Sequence, residues 1–269
     1  FYVLWLTIQF GFKAPGMAME VGLARTFGNY LFAFVQPFGT LWFVYLLPIF
    51  FVFTRLVRNA SVWLVLAWAA GLEMLPVSTG SIVFDEFCAR YVYFYAGYAL
   101  AANVFRIADW VEANPGRTLA LLALWAPLNA LLVFTPVPEA LAAFLQPDLG
   151  HTGAQGGYAE LPFVSLMLGS AGLLAVVAVA VLLSGGRRAE WLRWLGAHSI
   201  VVYLAFFLPM AVTRVALLRT GIIPDIGTVS LIVTAVAVAG AVLLYGLGQW
   251  RGSGAFPFQR AERAYVDTP

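Results

Sequence analysis

The chain has 269 residues, of which 62% are apolar and only 10% charged. Soluble domains carry about 25% charged residues, so this composition, with a mean hydropathy of +0.88, excludes a soluble globular domain and implies an integral membrane protein. A net charge of +2 with no Lys/Arg-rich stretch excludes a nucleic-acid partner. The single cysteine, Cys88, excludes an intramolecular disulfide, and two histidines, His151 and His198, make a poor basis for a metal centre.

All predicted elements are helices. The apolar run Phe1 to Phe12 comes first and ends at Lys13. Such a run rises about 18 Å against a hydrocarbon core of about 30 Å, so it reads as the later part of a span that begins upstream. Seven longer apolar blocks follow, at Gly39–Thr54, Val62–Ser78, Cys88–Phe105, Leu119–Thr135, Leu161–Ser184, Ala197–Leu218 and Gly227–Gln249. Each has roughly the length of a crossing helix, given some tilt. The expected fold class is therefore all-α, a polytopic transmembrane helical bundle with one partial and seven full spans. Neither an internal repeat nor a linker is visible. Residues 1–251 read as one transmembrane domain and 252–269 as a short polar tail.

Charge sorts the connections into two sets. One holds Arg55, Arg58, Arg106, Arg117, Arg187, Arg188, Arg193, Arg251, Arg260 and Arg263; the other holds Lys13, Arg25 and Arg219 with most of the acidic residues. The sets alternate at every crossing, and the positive-inside rule makes the arginine-rich set cytoplasmic. The tail is then cytoplasmic, and the first run leads outward.

Three stretches, in order, are similar to membrane-bound acyltransferase family 3, the many-helix proteins that acylate cell-envelope glycans. They are Gly39-Thr40-Leu41-Trp42-Phe43-Val44-Tyr45-Leu46-Leu47-Pro48, then Arg90-Tyr91-Val92-Tyr93-Phe94-Tyr95-Ala96-Gly97-Tyr98, then Gly196-Ala197-His198-Ser199-Ile200-Val201-Val202-Tyr203-Leu204. The resemblance implies about ten helices with both ends cytoplasmic, so two further helices would precede Phe1. It also implies an essential histidine on the first helix, after a basic residue, and an arginine pair a little later. No position here matches either motif, so the catalytic residues are expected upstream and the chain as written is expected to be an inactive fragment. Many family members carry a histidine soon after the Tyr-Leu of the late helix, where this chain has Phe206.

Ionisable residues within spans default to functional candidates. Glu73 lies inside the second full span, toward its outer end, where it could accept a hydrogen bond from a sugar hydroxyl or form a structural ion pair. Asp85, Glu86 and Arg90 open the third, and Arg214 lies near the outer end of the late helix. That helix carries Ser199, Tyr203, Phe207, Met210 and Arg214 at helical spacing on one face. With Trp42, Tyr45 and Tyr93 stacking, these residues would form a pocket for a carbohydrate acceptor near the outer leaflet. The aromatics also fit an interfacial belt, which needs no ligand. His198 is a weak catalytic candidate near the cytoplasmic side, where it could face an acyl donor, though no acidic residue stands at helical spacing to orient it. Cys88 reads as a small packed hydrophobe, and Gly185-Gly186-Arg187-Arg188 as a turn with topogenic arginines rather than a phosphate nest.

The resemblance further implies acyl transfer from a cytoplasmic thioester, with acyl-CoA as co-substrate and no bound cofactor or metal, to a hydroxyl of a cell-envelope carbohydrate. The expected partners are the lipid bilayer and that carbohydrate, and the arginine pattern suits a bacterial inner membrane. A transporter or flippase of glycan-linked lipid, with helices broken by Gly or Pro, and a non-catalytic membrane assembly partner are the other readings open at this stage.

Overall fold

A computed structural model describes residues 2–37, 39–75, 77–138, 157–184, 190–220 and 225–250. His151, the Gly-Gly-Arg-Arg turn and the tail from residue 252 lie outside these residues. Among the described residues the structure is helical, with one isolated bridge between Pro136 and Gly157. The all-α bundle is as expected. By backbone packing the chain forms two compact units, Phe1–Leu31 with Trp191–Pro269 and Phe32–Glu190.

The first unit opens with α1 (Tyr2–Val21), which runs through Lys13 rather than ending there. A charge does not stop a helix. The stop is Gly22, at φ 84°, a left-handed conformation that costs glycine little. α2 (Leu23–Phe32) follows, and its Tyr30 hydroxyl bonds to Thr7 Oγ1 at 2.9 Å.

The expected late span Ala197–Leu218 is cut into pieces: α9 (Glu190–Ala197), α10 (Ser199–Ala205) and α11 (Phe207–Thr220). α9 stands at 74° to the helix that continues over Val202–Leu218. Proline supplies a reason for the break at Phe206. Pro209 has no N–H, and its ring crowds the carbonyl four residues earlier, which is that of Ala205. α12 (Ile226–Trp250) packs along α11, with the Pro209 ring so close to Gly240 that a β-carbon there would lie 2.6 Å from it.

The second unit holds α3 (Trp42–Leu56), α4 (Val62–Met74), α5 (Ile82–Ala99), α6 (Ala101–Ala113), α7 (Pro115–Phe134) and α8 (Pro162–Ser184). α5 starts six residues earlier than the apolar block predicts and ends earlier, and Leu100 separates it from α6. Pro115 opens α7 at its first position, where the missing N–H has no partner to lose. The core between α3, α4 and α5 is aromatic. Tyr91 is fully buried, with Phe87 stacked on it at 4.9 Å and Phe53 edge-on at 5.1 Å. Its hydroxyl and that of Thr54 share a buried hydrogen bond of 3.1 Å.

By length and apolarity, α7, α8 and the Gly227–Gly246 part of α12 can each cross a bilayer, and the bent α9–α11 pair can add one more. α3 and α4 are equally apolar but shorter, because the expected blocks counted turn and loop residues at their ends.

Candidate functional site

In the second unit, α4 brings Glu73 against α8, and α5 brings Tyr93 to the same carboxylate. Tyr93 Oη donates to Glu73 Oε1 at 3.2 Å, and Ser165 Oγ donates to the same oxygen at 2.9 Å. No described side chain donates to the buried Glu73 Oε2. Gly169, one turn after Ser165, makes room for the phenol, since a β-carbon there would lie 2.5 Å from Tyr93 Oη.

Tyr93 and Ser165 line an open cavity of about 620 Å³, together with Arg90, Asn129, Phe43 and Phe94. The chemistry of its wall follows from the hydrogen bonds. Each hydroxyl spends its proton on Glu73, so the lone pairs of Tyr93 Oη and Ser165 Oγ are left to accept from a ligand. Arg90 contributes donors. Its guanidinium is paired with Glu86 one turn earlier and sits 4.9 Å over the Trp42 ring, two contacts that hold a long side chain in one orientation. Asn129 contributes both a donor and an acceptor, and the Phe43 and Phe94 rings contribute apolar surface.

The other predicted site residues are distributed as follows. Asp85 does not line this cavity. Its Oδ1 accepts from the Thr79 backbone N–H at 2.9 Å and the Thr79 hydroxyl at 2.7 Å. Tyr45 is half-buried on α3 and does not line the cavity. Tyr203 and Arg214 belong to the first unit, on α10 and α11; the Tyr203 ring lies 5.8 Å from Phe206, and Arg214 is exposed.

His198, just before α10, has an orienting partner that sequence spacing could not supply. Its Nδ1 lies 2.8 Å from the Trp194 carbonyl oxygen, so Nδ1 carries a proton and the neutral ring keeps its lone pair on Nε2. Its ring stacks on Trp194 at 4.4 Å and lies 5.0 Å from Tyr245. Among the described residues no cluster of three or more His, Cys, Asp or Glu could hold a metal ion.

Sequence reading missed Ser165, Asn129 and Gly169. A signal existed, because Ser165, Gly169, Ser170 and Gly172 interrupt the first half of α8, and Ser165 and Gly169, four apart, share a face. No curated protein and no solved structure matches the chain. The acyltransferase domain of family 3 matches residues 1–246. With that match over nearly its whole length, the chain belongs to acyltransferase family 3 and is an acyltransferase of the membrane-embedded kind.

Proposed function

We infer that the protein is an O-acyltransferase that binds a carbohydrate acceptor in the cavity beside Tyr93 and Ser165. The acyl donor is a cytoplasmic thioester, acyl-CoA, and the membrane is a bacterial inner membrane with the C-terminal tail on the cytoplasmic side. The observation that carries this reading is the pair of hydroxyls donating to one Glu73 oxygen. It leaves two acceptor oxygens at fixed positions beside a guanidinium and two aromatic rings. A sugar presents the complement, vicinal hydroxyl donors and acceptors on an apolar ring face.

In the reaction the acceptor hydroxyl oxygen attacks the thioester carbonyl carbon. The C–S bond breaks, and the proton lost by the hydroxyl ends on the departing sulfur. The cavity side chains hold and aim the hydroxyl, which is worth more than any single contact because it makes the encounter intramolecular. The base is the histidine that the family resemblance implies; it matches no position of this chain, so none of the cavity side chains is given that role. Glu73 acts through its two partners, as a positioning residue.

Membranes containing the protein together with the segment that carries that histidine, given acyl-CoA labelled in its acyl group, should form an alkali-labile ester on carbohydrate, while residues 1–269 alone, which hold no such histidine, should form none. Replacing Tyr93 by Phe and Ser165 by Ala together should remove most of it. Label recovered without any carbohydrate ester would contradict the reading, as would proton-driven transport of a glycan-linked lipid without acyl transfer.

A further inference from the structure

A second cavity lies in the same unit, between α6, α7 and α8, with a volume of about 440 Å³. Its wall is apolar. The one hydroxyl residue in it, Thr118, already donates to the Asn114 carbonyl at 2.9 Å. Leu121, Leu124 and Leu128 stand exposed at its rim, and α7 and α8 are two of the helices able to cross a bilayer. The slot therefore opens between two helices able to cross a bilayer, beside the connection that holds Arg106 and Arg117.

Two observations connect the slot to the polar cavity. The first is register. On α7 the row Leu121, Trp125, Asn129, Val133 keeps a spacing of four along one face; its first two members line the slot and its last two line the polar cavity. On α8 small residues follow a matching course. Gly169 accommodates Tyr93, a β-carbon at Gly172 would lie 3.9 Å from the Trp125 ring, and Ala175 and Ala178 line the slot. The second is an unmet donor. Trp125 Nε1, at the join, is buried with no hydrogen-bond partner among the described residues, and an unmet buried donor is destabilising. A carbonyl oxygen without charge would satisfy it.

We propose that the slot holds the hydrocarbon tail of the acyl donor, so that the group transferred is a fatty acyl chain rather than acetyl. Trp125 Nε1 donates to the acyl carbonyl where slot and cavity meet. This rests on the reading of the polar cavity as the acceptor site, and it adds the substrate class. Trp125 holds the carbonyl within reach of the acceptor hydroxyl, and the bond changes are those of ordinary thioester-to-ester transfer.

The test is a chain-length profile. Transfer from acetyl-, octanoyl- and palmitoyl-CoA is compared in the same membranes, so that the amount of folded protein cancels in the ratios. Ala175→Phe fills the slot and should lower the palmitoyl-to-acetyl ratio about tenfold or more, in line with the discrimination that apolar pockets achieve. Leu121→Ala widens it and should move the preferred length upward. Ratios unchanged in both variants overturn the proposal.

If no donor of any length transfers, the acceptor-site reading fails, and the slot is read separately by crosslinking. A diazirine-bearing palmitoyl thioester should then label α7 or α8 in the wild type and not in Ala175→Phe. Equal labelling of both, or labelling matched by a diazirine phospholipid, would leave only a lipid-filled groove and overturn the proposal.

Discussion

Glu73 collects two hydroxyl donors on one oxygen, so its replacements separate geometry from charge. Glu73→Gln keeps an acceptor oxygen for Tyr93 and Ser165 and should retain much of the acceptor affinity. Glu73→Leu frees both hydroxyls to turn their protons into the cavity and should weaken acceptor binding while leaving the donor KM unchanged. Gly169→Ala attacks the same contact from behind, because its methyl would overlap Tyr93 Oη at 2.5 Å. The phenol must swing away, and the variant should resemble Tyr93→Phe in acceptor KM, which steady-state transfer kinetics would check. Arg90→Lys keeps the charge but loses the planar stack on Trp42, worth about 0.5–1 kcal/mol at an exposed site. A two- to fivefold rise in acceptor KM is the corresponding scale.

At the level of helices, Tyr91 holds α3, α4 and α5 together through ring contacts with Phe53, Phe87 and Trp68 and a bond to Thr54. Tyr91→Ala should destabilise the second unit by about 3–5 kcal/mol, the usual cost of emptying a large aromatic site. Thermal unfolding in detergent would show it. The start of α12 is set by Asp225, whose Oδ2 accepts from the Thr228 hydroxyl and backbone N–H at 2.5 and 2.6 Å. Those bonds, the hydroxyl first, lower its carboxyl below the ordinary value. A lowered folded-state pKa adds stability above the unfolded value of about 3.9 and loses it as pH falls through the folded value. Asp225→Asn keeps the cap without the titration. The stability advantage of wild type over this variant should therefore shrink as unfolding is followed from pH 7 to pH 3; an advantage that grew on acidification would contradict the assignment.

For the molecule as a whole, the arginine pattern predicts which connections face the cytoplasm. With Cys88→Ser as background, Ala60→Cys should react with an impermeant maleimide only after the membrane is opened, and Ser78→Cys should react from outside. Composition made the all-α membrane bundle legible, and Glu73, Arg90 and Tyr93 stood out because ionisable and aromatic side chains are conspicuous among leucines. The break at Leu100 did not, since apolarity continues across it and only backbone geometry interrupts the helix, and the break at Phe206 had Pro209 as its one sign. Ser165 and Asn129 were hidden for a related reason. Small polar residues are tolerated inside membrane helices, and only the approach of α8 to α4 turns Ser165 into a ligand of Glu73. His198 gained its orienting carbonyl from Trp194, a backbone group that no side-chain pattern announces.

The central claim is that the hydroxyls of Tyr93 and Ser165 receive the acceptor. The most direct measurement is the acceptor KM of the Tyr93→Phe, Ser165→Ala double variant, with donor saturating, in native membranes. Two lost hydrogen bonds at about 0.5–1.5 kcal/mol each predict an acceptor KM raised roughly tenfold or more, with the donor KM unchanged. An acceptor KM equal to that of the wild type would place acceptor binding elsewhere and contradict the account.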